Sequence, residues 1–466
     1  MRLAAGPEET DAIVIQPEGE GIGRPHFALH LVLCGEEPLL GSAAFDLNGI
    51  EDLAIGRGPQ LALLRDSGGP WRLEVPDSAI SRHHVRLRLP IPGAPSLEDL
   101  GSRNGTHLRG KAVTHAIVDD GDWFVAGRSG FLLRAVDRPV ARVPASVPGS
   151  ATLATFLPAL AKDLARLSEL GASRVPVFLL GETGTGKEVV AREIHALSGR
   201  KGGLVAVNCA ALPETLVESE LFGYRRGAFS EAREDRPGLI RSADKGTLLL
   251  DEIGELAVGS QAKLLRVLQE GEVMALGATA PTAVDVRIVA ASQRRLEDMV
   301  ASGGFRPDLA GRLSGFTLSL PRLADRMEDL GLLVAALLRR YAGEQASTYR
   351  VTSAACAALL ERRWPYNVRE LARTIEMAVT LSRGHREIGV DHLGTVPEDV
   401  PEDDPNATTD STPTGRPDAL RTDLLARMKR NRGNVSAVAR EMGKARMQVH
   451  RWLDRYGLRA TDFRGG

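Results

Sequence analysis

At 466 residues with 43% apolar content, the chain is long enough for several domains, each able to bury a core. Its net charge of −1 hides local asymmetry, and three widely separated cysteines (Cys34, Cys209, Cys356) exclude a disulfide framework and point to a reducing compartment. The first residues, MRLAAGPEETD, carry no apolar signal segment, and no run approaches about twenty apolar residues, so a soluble cytoplasmic protein without a membrane partner is expected.

Two stretches punctuate the chain. Residues 138–150 lie in a Pro, Ala and Ser-rich run and read as a linker. Residues 397–417, rich in Pro, Thr and acid, read as a disordered one. They leave an N-terminal piece (20–137), a central piece (151–396) and a short C-terminal piece (418–460).

The N-terminal piece alternates apolar and polar residues in seven short runs: HFALHLVL, FDLN, LAIGR, WRLEV, HVRLRLP, WFVAG and FLLRAV. That pattern predicts an all-β sandwich. Its turns carry Gly56-Arg57, then Ser81-Arg82-His83-His84, then Gly101 to Thr106 with Arg103 and Asn104. Arg57, Arg82 and Arg103 offer cationic donors to a dianionic phosphate, and Ser81 a hydroxyl. Three spaced motifs in this order resemble the forkhead-associated (FHA) domain, which binds phosphothreonine peptides. The resemblance implies that Asn104 grips the peptide backbone and that His84 buttresses the loops. His83 and His84 lack the spaced partners of a metal site.

In the central piece, an apolar run from Val175 to Leu180 leads into Gly181-Glu182-Thr183-Gly184-Thr185-Gly186-Lys187 and then a helix. Strand, glycine-rich loop and helix make a phosphate cradle of backbone N–H groups, with Lys187 reaching the β- and γ-phosphates of ATP. Glu188 stands where a Ser or Thr usually ligates Mg²⁺, so the metal must be held elsewhere. A second apolar strand, Leu248 to Leu250, ends in Asp251 and Glu252. Asp251 is placed to hold Mg²⁺ through water and Glu252 to polarise the attacking water, which makes the piece an ATPase.

The surrounding segments, NCAALPETLVESELFGYRRGAFSEA, RIVAASQRRLEDMV, FRPDLAGRLSGFTLSLPRL and WPYNVREL, closely resemble the AAA+ domain of sigma-54-dependent transcriptional activators. The resemblance spans residues 151–396 and implies an α/β ATPase with a helical lid from about 322 to 396, assembled as a ring, hexameric in expectation, with sigma-54 RNA polymerase as partner. Carried over residue by residue, Asn208 would couple Glu252 to the remodelling loop. Gln293 would be the first sensor, with a carboxamide one methylene longer than the family's Asn. Arg306 and Arg312 would act as fingers in a neighbouring site, and Arg369 would touch the bound nucleotide as second sensor. The polymerase-contacting loop of the family reads GAFTGA. Here Gly227, Ala228, Phe229, Ser230, Glu231 and Ala232 keep the apolar tip and the hydroxyl but place a charge where the family has glycine.

The C-terminal piece is basic, with ten Arg and Lys against four Asp and Glu between Asp418 and Leu458. Helical periodicity broken at Gly433 and Gly443 predicts three short helices, an all-α helix-turn-helix with Asn434 capping the second. It resembles the Fis-type DNA-binding domain, and its third helix would present Arg446, Gln448, His450 and Arg451 to promoter-upstream DNA. The expectation is a DNA-binding regulator that hydrolyses ATP to remodel sigma-54 polymerase under phosphothreonine control. The alternative is a regulator acting without sigma-54, with ATP used for assembly.

Overall fold

In the computed structural model, the described residues are 26–394 apart from 66–68, 91–93, 148–152, 212 and 230–231, then 417–431, 433–442 and positions 449, 453, 458 and 463. They fall in two compact units, divided between Val396 and Pro397.

The first unit opens with a sandwich. Its strands are β1 (His26–Cys34), β2 (Ala43–Asp46), β3 (Asp52–Arg57), β4 (Ala62–Arg65), β5 (Trp71–Val75), β6 (Val85–Arg88), β7 (Ser96–Asp99), β8 (Thr106–Leu108), β9 (Lys111–Val113), β10 (His115–Ile117), β11 (Trp123–Ala126) and β12 (Ser129–Val136). One sheet has the order β2-β1-β12-β11-β8-β9 and the other β10-β7-β6-β3-β5-β4. Alternation drives the layering: Leu73, Val75, Val85 and Leu87 are fully buried, while Arg72, Glu74, Arg86 and Arg88 keep contact with solvent. Phe124 and Phe131 stack in the interior with centroids 4.9 Å apart. The seven expected strands are present. Sequence reading missed β4, β7, β8, β9 and β10, each only three or four residues long and too short to show a period.

β1 differs from its neighbours because Ala28 to Cys34 are all buried. Leu29 and Leu31 belong to the sandwich core, whereas Val32 and Leu33 belong to a cluster shared with the helices after residue 330. A bulge between Leu31 and Leu33 resets the strand's facing at that point.

Residues 138–147 of the expected linker are bonded to both neighbouring domains. Arg142 donates to the Leu61 carbonyl at 2.6 Å, Ala44 N–H donates to the Arg142 carbonyl at 3.2 Å, and Val147 is buried in the core of the next domain. A two-strand ribbon, β13 (Ala145–Ser146) with β14 (Ala154–Thr155), leads into α1 (Pro158–Glu169).

The central domain then runs β15 (Val177–Leu180), α2 (Lys187–Ser198), β16 (Leu204–Asn208), α3 (Glu214–Phe222), α4 (Gly238–Ser242), β17 (Thr247–Asp251), α5 (Val258–Glu270), β18 (Glu272–Val273), β19 (Thr282–Ala283), β20 (Arg287–Ser292), α6 (Leu296–Ala301), α7 (Pro307–Leu313) and β21 (Phe316–Ser319). Its five-stranded sheet is parallel, in the order β16-β17-β20-β15-β21. Helices cover both faces, so Leu248, Leu249 and Leu250 in β17 are all buried. Parallel connection puts Leu180, Asp251 and Ser292 at one edge, where the switch in strand order opens a crevice. A helical lid follows: α8 (Leu330–Ala342), β22 (Arg350–Val351), α9 (Ser353–Glu361), α10 (Asn367–Leu381) and β23 (Glu387–Ile388).

The second unit contains α11 (Pro417–Arg430) and α12 (Val435–Met442). Leu424, Met428, Val435 and Val438 pack with Val449 and Leu453 in a small core. Asn434 caps α12 as expected, its Oδ1 accepting from Ala437 N–H at 3.1 Å. The proposed reading residues Arg446, Gln448, His450 and Arg451 lie outside the described residues. No helix among the described residues is long and apolar enough to cross a membrane.

Candidate functional site

The loop from Gly181 to Gly186 joins the end of β15 to α2. Gly184 and Gly186 take φ of +81° and +110°, a region that disfavours side chains. Gly184 also has no room for one, since a Cβ there would lie 2.3 Å from the Tyr366 carbonyl oxygen. Thr185 donates its hydroxyl to the Glu182 carbonyl at 2.8 Å, which closes the loop on itself. Lys187 is buried. Its Nζ donates to the carbonyls of Gly181 (2.7 Å) and Glu182 (3.2 Å) and lies 3.9 Å from Glu252 Oε1. Burial lowers its pKa, against the opposing pull of Glu252 and Asp251. Glu188 points elsewhere: its carboxylate is exposed and accepts from Arg192 at 2.6 Å, one helical turn on.

Asp251 closes β17, and Glu252 follows it at φ +51°, a left-handed conformation that costs a non-glycine residue. Burial raises the Asp251 pKa, with Lys187 opposing. The carboxamide of Gln293, just past β20, donates to Glu252 Oε1 at 3.0 Å. Asn208 turns away from Glu252 in this structure; its Oδ1 accepts from Ala210 N–H at 2.9 Å and closes the turn after β16. Gln293, with its extra methylene, reaches the carboxylate instead. The paired carboxylates suit a hard cation such as Mg²⁺, whose remaining ligands would come from phosphate and water. Among the described residues no group of three or more His, Cys, Asp or Glu is arranged to hold a metal alone.

The lid closes over this loop through residues that sequence reading missed. Asn367, at φ +53°, accepts from Leu323 N–H at 2.8 Å and donates to Glu182 Oε2 (3.2 Å) and the Thr183 carbonyl (3.1 Å). Arg326 donates to the Thr185 carbonyl at 2.9 Å. Arg369 lies beside the loop: its backbone N–H donates to the Gly184 carbonyl at 3.1 Å, and its charge adds to the lowering of the Lys187 pKa. Asn367 follows Tyr366 in WPYN, and a small amide opening a helix was the available signal.

Arg306 caps the start of α7 and Arg312 sits on it, and both bond away from their own phosphate loop. Arg306 grips Asp308 at 2.7 and 3.0 Å, and Arg312 donates to the Leu268 carbonyl at 3.2 Å. The 227–232 loop is pinched at its base, with Gly227 N–H donating to the Ala232 carbonyl at 2.8 Å and Arg225 paired with Asp235. Phe229 keeps 40% of its surface exposed while its ring meets Tyr224 edge-on at 4.9 Å. Ser230 and Glu231 lie outside the described residues.

On the sandwich, β3, β6 and β8 deliver three loops to one end. His84 is buried, accepts at Nδ1 from Ser81 N–H (3.0 Å) and thus donates at Nε2 to the Gly105 carbonyl (3.1 Å). It ties two loops together, as expected, and burial keeps its pKa low. Ser81 Oγ accepts from Arg103 N–H at 3.1 Å and retains its own proton to donate. The Asn104 amide donates to the Ala79 carbonyl at 2.7 Å, bridging loops. An open depression is lined by Arg57, Gly58, Pro59, Arg72, Arg82 and His83. Arg72 was missed because it reads as the polar face of a strand; Glu74 pairs with it at 2.8 Å.

The comparisons with known proteins agree with this division. The chain matches the Sigma-54 interaction domain over residues 154–319, the AAA+ ATPase lid domain over 324–410 and the FHA domain over 53–127. It is 41% identical over 320 residues to the acetoin catabolism regulatory protein of Cupriavidus necator, covering 66% of this chain and 47% of that one. It is 47% identical over 227 residues to the regulatory protein AtoC of Escherichia coli, covering 48% and 49%. A crystal structure of NtrX from Brucella abortus in complex with ADP is 31% identical, covers 67% of this chain and 70% of that one, and superposes with a TM-score of 0.46. The chain spans about half the length of the curated relatives it matches.

Proposed function

The chain belongs to the family of sigma-54-dependent AAA+ regulators with an FHA domain before the ATPase domain, and on that premise we propose that it hydrolyses ATP to remodel sigma-54 RNA polymerase at a promoter. The observation that carries this reading is the cluster at one sheet edge: Lys187, Asp251, Glu252 and Gln293, with Glu252 held by both Gln293 and the Lys187 charge. Lys187, released from the Gly181 and Glu182 carbonyls, binds the β- and γ-phosphates. Asp251 holds Mg²⁺, which supplies charge neutralisation on those phosphates when bound. Glu252 orients and polarises the attacking water. Gln293 fixes Glu252 and reports whether the γ-phosphate is present. Arg369 touches the nucleotide from the lid. Arg306 and Arg312, turned from their own loop, complete a neighbour's site in a ring of subunits, hexameric by analogy with the family.

Phe229 on the pinched loop contacts sigma-54. The sandwich loops bind a phosphothreonine peptide through Arg57, Ser81, Arg82 and Arg103. The basic C-terminal unit binds promoter-upstream DNA through Arg446, Gln448, His450 and Arg451, and the protein acts in the cytoplasm. Transcription in vitro from a sigma-54 promoter, with ATP against a non-hydrolysable analogue, tests the whole reading. Opening with ATP alone supports it. Glu231, in place of the loop glycine, favours the second reading, and DNA binding with ATP-dependent assembly but no sigma-54 contact would establish that one.

A further inference from the structure

The sandwich is docked on the ATPase lid along a dry face. Val32, Leu33, Val125 and Leu132 of the sandwich are buried in one cluster with Leu330, Val334, Cys356 and Leu360 of the lid. Two glycines permit the approach. A Cβ on Gly331 would lie 1.9 Å from the Val32 carbonyl oxygen, and one on Gly130 would lie 2.6 Å from Leu360 Cδ1. The backbones also bond directly, Val351 N–H donating to the Gly35 carbonyl at 2.7 Å.

Beside this face, one turn holds three buried charges, and each leads to a different part of the molecule. Arg326, Glu328 and Asp329 are 7%, 8% and 1% exposed. Arg326 donates to the Thr185 carbonyl in the phosphate loop at 2.9 Å. Glu328 accepts from Arg134 of β12 in the sandwich. Asp329 accepts from Thr155 Oγ1 (2.7 Å) and Phe156 N–H (2.8 Å) in the connecting ribbon. The turn is itself bonded, Asp329 N–H to the Arg326 carbonyl at 2.9 Å, and Leu323 N–H, one step earlier, meets Asn367. Removing one partner from a buried ion pair leaves an uncompensated charge, so the turn must rearrange rather than wait. Its rearrangement moves the guanidinium that holds Thr185.

We propose that Arg134, a residue of the sandwich, is a positioning residue of the ATPase: through Glu328 it fixes the turn whose Arg326 holds the phosphate loop. The sandwich thereby acts on nucleotide binding through the lid. This rests on the ATPase reading of the loop. The experiment is equilibrium binding of a fluorescent ATP analogue to the full chain, with steady-state hydrolysis alongside. Arg134→Ala is expected to weaken nucleotide binding and raise KM roughly five- to tenfold, with a smaller change in kcat. Arg134→Lys, which keeps the charge, recovers most of the affinity, and the charge reversal Arg134→Glu with Glu328→Arg recovers part. The lysine variant also serves should Arg134→Ala fail to fold. If folded Arg134→Ala binds and hydrolyses as the parent does, or if Arg134→Lys weakens nucleotide binding as much as removal of the charge, the proposal is overturned. A parent chain that binds no nucleotide removes the ATPase reading and the proposal together.

Discussion

The chain offers phosphate two sites, built on opposite plans. At the central loop the cation is buried and already occupied: Lys187 sits on two carbonyls of its own loop, with Glu252 at 3.9 Å. At the sandwich loops the cations are exposed, and among the described residues no carboxylate is paired with Arg57 or Arg82. The first plan lets the lysine wait in a low-dielectric site at the cost of partners it must exchange when phosphate arrives. The second needs no exchange, but water screens its charges and limits what each one contributes. The buried site therefore couples phosphate binding to an exchange of partners, while the open one takes up phosphate with Arg57 and Arg82 already free of carboxylates among the described residues.

The widest separation between the two plans should appear in turnover. Glu252→Gln should leave ATP binding in place and lower hydrolysis by about 10²- to 10⁴-fold, as loss of a water-orienting carboxylate does. Arg306→Ala and Arg312→Ala should bind ATP and fail in hydrolysis by a comparable or larger factor. Mixing either with Glu252→Gln subunits should restore activity, because a mixed ring contains some complete sites. Single-turnover hydrolysis on pure and mixed samples checks this, and unchanged turnover in both arginine variants would remove the shared-site assignment. Lys187→Ala should instead abolish nucleotide binding itself.

A smaller effect is expected at the open site. Arg57→Ala or Arg82→Ala should each weaken phosphothreonine peptide binding about ten- to a hundredfold, the range for one charge-assisted bond. Arg72→Ala should cost less, since Glu74 already shares its charge. Titration of the full chain with phosphorylated and plain peptides at two salt concentrations measures both the selectivity and its screening. Equal binding of the two peptides would collapse the comparison.

Both sites were legible in the sequence. Strand, glycines and Lys187 are contiguous, and Asp251-Glu252 end an unmistakable apolar run, so local pattern was enough. The sandwich loops were legible for the same reason, as short turn motifs in order. What remained hidden is what joins distant segments. Asn367 and Arg326 reach the loop across 184 and 141 residues of sequence, and neither stands in a pattern that announces it. The docking of sandwich on lid was invisible because Val32, Leu33 and Val125 read as ordinary sandwich core. The glycines at 130 and 331 show their use only when the opposing Leu360 side chain and Val32 backbone are seen. Asn208 was assigned on likeness alone, and the contact of Gln293 with Glu252 follows from no local pattern either.

The smallest expected effect concerns the junction between the two sites, and it has a definite sign. His30 is buried in β1 against Phe156, ring centroids 5.6 Å apart, and burial lowers its pKa from 6.5 to about 4, with Glu328 opposing. Between those pH values the unfolded chain takes up a proton that folded His30 refuses. Its contribution to stability is therefore complete above pH 6.5 and is lost as the pH falls toward 4. Asp329 runs the other way. Burial raises its pKa from 3.8 to about 6, so the folded state binds a proton there that the unfolded state does not, and stability increases as the pH falls through 6 toward 3.8. Over the shared window the two trends offset each other, and the parent chain should show a flattened response between pH 7 and 5. Replacing His30 by Leu should expose the Asp329 trend, so that the variant keeps more of its pH 7 stability at pH 5 than the parent does. Asp329→Asn should expose the His30 trend and steepen the loss on acidification. Thermal unfolding of the three proteins at pH 7 and 5 measures this as a difference of a few degrees. Parallel shifts in all three would mean that neither buried group titrates in this window, and the junction would then be held by packing and fixed charge alone.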